Sequence, residues 1–113
     1  MQRDDGVYLG HMDDLARKVM ARTDGLTRAT FDADENLRLA LTHLLQTIGE
    51  AASRVSKEYR AAHPELPWAA IIGMRNRVVH DYMSVDEDVV WKTATQEMAP
   101  LVETFQRLRS LYP

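Results

Sequence analysis

The sequence predicts an all-α chain, folded as an antiparallel bundle of four to five helices. Three observations point there: apolar residues recur at i, i+3, i+4 and i+7, no run alternates cleanly with period two, and the segments between the periodic stretches are short. Short loops join antiparallel neighbours. At 113 residues the chain reads as one domain, 1–113, with a core small enough that a second copy would add useful apolar burial.

The first helix is expected from about Tyr8 to Arg22, where Tyr8, Met12, Leu15 and Val19 fall at helical spacing and Gly25 lies in the loop beyond. The second carries the longest stripe, Leu37, Leu41, Leu44, Ile48, Ala51, Val55 and Tyr59. Asp32 and Glu35 resemble a capping pair at its start, and Pro64 and Pro67 punctuate its end. Such a stripe is core, and partly a bundle or dimer seam. The third helix should begin at Pro67, which suits a first turn, and run to about Tyr82. Ser84 to Glu87 has capping-box spacing and opens a fourth helix, with Val90, Ala94, Met98, Leu101, Phe105 and Leu108 on one side. Pro100 sits inside it and should kink or restart it, because proline removes a hydrogen bond and crowds the preceding turn.

Composition excludes several classes. No cysteine is present, so neither a disulfide framework nor a thiolate metal site can form. No apolar run approaches the roughly 20 residues of a membrane span, and the first ten residues, MQRDDGVYLG, lack a signal-peptide layout. A cytoplasmic location is the expectation. The formal net charge of −3 argues against a nonspecific nucleic-acid coat, and no DNA partner is expected, but a local cleft needs only a few well-placed cations.

The stretch RNRVVHDY, residues 75–82, is the least like helix filler. Histidine moves protons near neutral pH, arginine holds phosphate bidentately, and tyrosine can donate a hydrogen bond or stack on a base. Together Arg75, His80 and Tyr82 could cleave RNA without a metal. His80 would take the 2′-hydroxyl proton or protonate the departing oxygen, and Arg75 would neutralise charge on the phosphoryl oxygens. On a straight helix Arg75 and Tyr82 lie about 20° apart, but Arg75 and His80 about 140°. Either the helix loosens near His80, or two copies meet at a composite cleft. The competing reading makes Arg75 and Arg77 solvated, or paired with Asp81 or Glu87, and His80 a hydrogen-bonded, half-buried residue.

Other residues offer less. His11, His43 and His63 form no ligand pair, so no metal site is expected, nor any cofactor. His43 reads as structural, and Trp68 and Trp91 as core anchors. Glu50 is either a solvent-facing helix former or a buried partner that holds Arg75 of its own or a second chain. Neither a Gly-rich phosphate loop nor a G-x-S-x-G elbow is present.

IGEAASRVS at 48–56, PELPWAAIIGMRNRVVHDY at 64–82 and VDEDVVW at 85–91 occur in that order and at this spacing. The ordered set resembles the HepT-like branch of the HEPN-domain proteins, over roughly residues 30–110. What the resemblance implies is a HEPN-like bundle and a homodimeric, metal-independent endoribonuclease, the toxin of a bacterial or archaeal toxin–antitoxin pair. The family's R-x4-H-x-Y motif falls on Arg75, His80 and Tyr82, with Asn76 as the polar residue after the arginine. The resemblance places Arg75 and His80 of two protomers in one cleft across the two-fold axis. It also implies a nucleotidyltransferase antitoxin that transfers AMP to Tyr82, where the adenylate's charge and bulk would block an RNA phosphate. The alternative, from another class, is a non-catalytic helical module that binds and positions a nucleotidyltransferase.

Overall fold

The structure, a computed structural model, describes residues 3–81 and 84–111, apart from the side chains at 3, 80 and 81. Its framework is three long helical segments. Helix α1 spans Arg3–Thr23, α3 spans Glu35–Ser53, and α7 (Glu87–Lys92) continues through one π turn (Thr93–Glu97) into α8 (Met98–Leu111). Short helices α2 (Arg28–Ala33), α4 (Lys57–Ala62), α5 (Trp68–Ile72) and α6 (Met74–Val78) connect them. A two-stranded antiparallel ribbon, β1 (Val79–Asp81) with β2 (Ser84–Val85), lies between α6 and α7.

The core follows the predicted stripes in part: Tyr8, Leu15, Leu37 and Leu44 are only partly buried, and Leu9, Ala16 and Leu45 take inner positions instead. Leu9, Met12, Ala16 and Val19 of α1 meet Leu41, Leu45 and Ile48 of α3 and Met98, Leu101, Phe105 and Leu108 of α8, all buried. Helix α1 packs mainly against α3 and α8, so the bundle is built around it. One polar clamp interrupts this apolar interior. The buried Asp13 carboxylate accepts from Arg17 Nε at 2.9 Å and from Arg109 Nη1 at 2.7 Å, tying α1 to α8. Full pairing is what makes a buried carboxylate tolerable. Buried Asp5 likewise accepts from the Ser56 backbone N–H (2.8 Å) and hydroxyl (2.7 Å), fixing the residue that caps α4.

The all-α architecture of the sequence reading holds, with local corrections. The long second helix stops at Ser53 and a new one begins at Lys57, because the Ser56 side chain accepts from Tyr59 N–H and starts α4. Val55 and Tyr59 stay buried across this break. Asp34, not Asp32, caps α3, while Asp32 sits in the separate helix α2 and pairs with Arg28. Ser84 lies in β2, and Asp86 instead caps α7 by accepting from Val89 N–H. Pro100 lies inside α8, and the π turn precedes it, giving room where its ring would crowd the Gln96 carbonyl.

The third helix departs most from expectation. It breaks at Gly73 (φ −77°, ψ 6°), resumes as α6, and leaves helical geometry at Val79 (φ −123°, ψ 113°). Two adjacent β-branched residues, Val78 and Val79, favour the extended exit. The Asp86 N–H then donates to the Val78 carbonyl at 2.7 Å and closes the ribbon. Strands of three and two residues are too short to alternate and gave no period-two signal. Trp68 is buried, and Trp91 is partly buried with its ring 5.3 Å from Phe31, as core anchors should be. His43 is exposed on α3, which corrects its structural reading.

Candidate functional site

The polar octapeptide straddles the helix end. Arg75 and Asn76 are exposed on α6. Arg77, two residues on and therefore about 200° round the helix, turns inward and is half-buried. Its guanidinium donates to both carboxylate oxygens of Glu97, at 3.2 and 2.8 Å. Glu87 pairs with neither arginine of the octapeptide but holds Arg38 at 2.8 Å, and the Asp81 side chain, the other partner considered, lies outside the described residues. The octapeptide's two arginines thus have different roles, one held and one presented to solvent.

His80 stands on β1, beyond the helix. Val79 pairs with Val85 and Asp81 with Ser84, so the register advances two residues on β1 against one on β2. His80 is the extra residue of that bulge. Bulges bend the strand and re-aim a side chain, and they recur beside active sites. The 140° arithmetic for a continuous helix therefore does not apply to His80. The His80 side chain and the whole of Tyr82 lie outside the described residues.

Ion pairs and a close packing contact hold this region. Arg38 of α3 grips Glu87, and Arg28 of α2 grips Asp88 at 2.6 Å, so the start of α7 is moored next to the ribbon. The two bonded carboxylates, Asp32 and then Asp88, raise the Arg28 guanidinium above its ordinary value. Beneath α5 and α6, Gly49 lets α3 come close. A Cβ there would sit 2.8 Å from the Ile71 carbonyl and 3.2 Å from Met74 Cβ. Sequence reasoning missed Gly49 and Glu97. A glycine inside an otherwise strong helix pattern was the available signal for the first, whereas nothing local marks Glu97.

Glu50 lies elsewhere. It is exposed on α3 and accepts from Arg54 at 3.2 Å, one turn on, so within one chain it is not a buried partner of Arg75. It borders an open groove of about 430 Å³ with Tyr8, His11, Leu15, Thr47 and Arg54. Hydrogen bonds to Tyr8 and then to Glu50 raise the Arg54 pKa. Among the described residues no three of His, Cys, Asp and Glu converge as metal ligands, and no helix is long and apolar enough to cross a membrane.

The family model and the similar proteins carry ribonuclease names. The family model described as "Ribonuclease HepT-like" matches residues 12–108. A protein of Thermococcus cleftensis named "Probable ribonuclease HepT" is 29% identical over 109 residues, covering 96% of this chain and 99% of its own. A Caldanaerobacter subterraneus subsp. tengcongensis protein named "Putative RNase TTE0752" is 33% identical over 94 residues, 83% of this chain and 84% of its own. A similar name, "Putative RNase MJ0125", belongs to a Methanocaldococcus jannaschii protein that is 29% identical over 100 residues, 88% of this chain and 83% of its own. No solved structure matches.

Proposed function

The chain belongs to the HepT-like ribonuclease family, and from that premise we propose that it is a metal-independent endoribonuclease toxin acting as a homodimer. Arg75 and His80 are the catalytic pair, and Asn76 and Tyr82 support them. The observation that carries this reading is the break after Val78: it leaves Arg75 exposed in the last helical turn and puts His80 on a bulged strand five residues on. Residues of a solvated helix face need no such break.

The reaction is transesterification. His80 takes the proton of a ribose 2′-hydroxyl, whose oxygen attacks the adjacent phosphorus. Arg75 stabilises the charge gathering on the non-bridging oxygens. The bond to the 5′-oxygen breaks, and that oxygen leaves with a proton from the histidine of the second protomer or from water. Cleaved products should therefore end in a 2′,3′-cyclic phosphate and a 5′-hydroxyl, and mass spectrometry of a short cleaved RNA reads this directly. Products bearing a 5′-phosphate would contradict it.

Regulation in this proposal comes from a nucleotidyltransferase antitoxin. It joins the Tyr82 oxygen to the α-phosphorus of ATP and releases pyrophosphate, placing a negative charge two residues from His80. Incubation with that partner and ATP should add one AMP to the wild-type chain and none to Tyr82→Phe. AMP found on the Tyr82→Phe chain would contradict the assignment. Growth arrest on expression of the chain alone, relieved by the partner, is expected of a toxin and not of a positioning module.

A further inference from the structure

From the Arg77–Glu97 geometry, we infer that this ion pair is a positioning device for the ribonuclease motif, setting the rotation of α6 so that Arg75 is presented outward and β1 leaves the helix at the correct angle. The inference rests on the assignment of Arg75 and His80 as the catalytic pair. Three features carry it. The contact is two-pronged, Arg77 Nη1 to Glu97 Oε1 at 3.2 Å and Nη2 to Oε2 at 2.8 Å, and a planar fork on a carboxylate fixes orientation as well as distance. Arg77 lies between Arg75 and His80 in the chain, so fixing its direction fixes both neighbours. Glu97 belongs to the π turn Thr93–Glu97, whose extra residue displaces it round the rod by roughly 100° relative to an unbroken α-helix. The hydroxyl of fully buried Thr93 lies 3.5 Å from the same carboxylate and helps hold it.

Stability alone does not explain the pair. Both side chains are 34% exposed and border an open cavity of about 260 Å³ shared with Met74 and Pro100. Ion pairs so wetted add little to folding, so their removal should leave a folded chain. What α6 would lose is its side-chain link to the middle of the α7–α8 rod. Its remaining holds are the packing of Met74 and Val78 and the single bond from the Asp86 N–H to the Val78 carbonyl, none of which is a two-pronged contact that sets rotation as tightly.

The test compares wild type with Glu97→Gln, Arg77→Gln and the exchanged pair Arg77→Glu/Glu97→Arg. Cleavage kinetics of a short RNA and amide hydrogen exchange are read on each. Small misplacement of a reacting group costs up to about 100-fold, so Glu97→Gln should lower kcat by roughly 10- to 100-fold while KM moves less than about 3-fold. The exchanged pair should recover part of that loss. Amide exchange should speed up in 74–81 while α1 and α3 keep their protection. Unchanged kcat, an equal change in exchange throughout the molecule, or no change in 74–81 would each overturn the inference. If wild type cuts no RNA, the ribonuclease assignment fails by itself, and local acceleration in 74–81 then still marks Arg77–Glu97 as the tether of α6.

Discussion

Arg75 and Arg77 are the same residue type two positions apart, yet the fold gives them opposite surroundings. One is exposed and the other is paired with Glu97. Exposure makes Arg75 cheap to change in stability and, on this account, expensive in function. Arg75→Gln should shift the melting temperature by less than about 4 °C, as surface substitutions usually do. The same change should lower kcat by roughly 100- to 1000-fold, the range seen when a group that stabilises developing charge is lost. Thermal melting and initial-rate kinetics on one preparation check both, and a large melting shift with little change in rate would assign Arg75 to structure. Glu50 gives a contrasting case. Its exposed pairing with Arg54 means that Glu50→Gln should leave the cleavage rate unchanged, and a lowered rate would instead give Glu50 a role at a second chain's arginine.

Helix α3 and the broken α5–α6 segment meet at Gly49, and this contact sets how close the motif stands to the bundle. Adding a methyl group there would push on the Ile71 carbonyl and on Met74, the first residue of α6. Gly49→Ala should cost about 1–3 kcal/mol, the usual penalty of overpacking, despite alanine's better helix propensity. Chemical denaturation measures this, and a stabilised variant would show that α5 and α6 move away without resistance. The helices themselves were legible in the sequence because their core faces obey the 3.6-residue period: Leu41, Ile48 and Ala51 are buried where the stripe puts them, although Leu45, not Leu44, is the fully buried leucine between them. Boundaries were less legible. Asp32 and Asp34 are equally good capping residues on paper, and only the separate α2 helix decides between them. The ribbon was hidden because its pairing is between segments too short to alternate, and Val78–Val79 also fit a helix stripe. The motif residues stood out by their chemistry, but Glu97 is 20 residues from Arg77, and a pair across that separation exists only once the helices have packed.

Taken whole, an acidic chain of 113 residues presents a small core and one concentrated polar segment. A net charge of −3 leaves RNA binding to local cations, and a dimer that joins two motif segments would double them. The proposed cleft, shared across a two-fold axis, makes a specific demand on mixtures. Arg75→Ala and His80→Ala chains, each inactive alone, should regain measurable cleavage when unfolded together and refolded as mixed dimers, because one cleft then holds an arginine from one chain and a histidine from the other. No regain in a mixture shown by native mass spectrometry to contain mixed dimers would place a complete site in each chain. Whether this fold carries a ribonuclease that requires no metal is decided by RNA cleavage in EDTA with wild type and His80→Ala purified identically. Wild type should cleave whether or not the chelator is present, and a His80→Ala chain that remains folded should not cleave. Equal cleavage by both, or loss of wild-type cleavage in EDTA with recovery on adding a divalent cation, would contradict that reading.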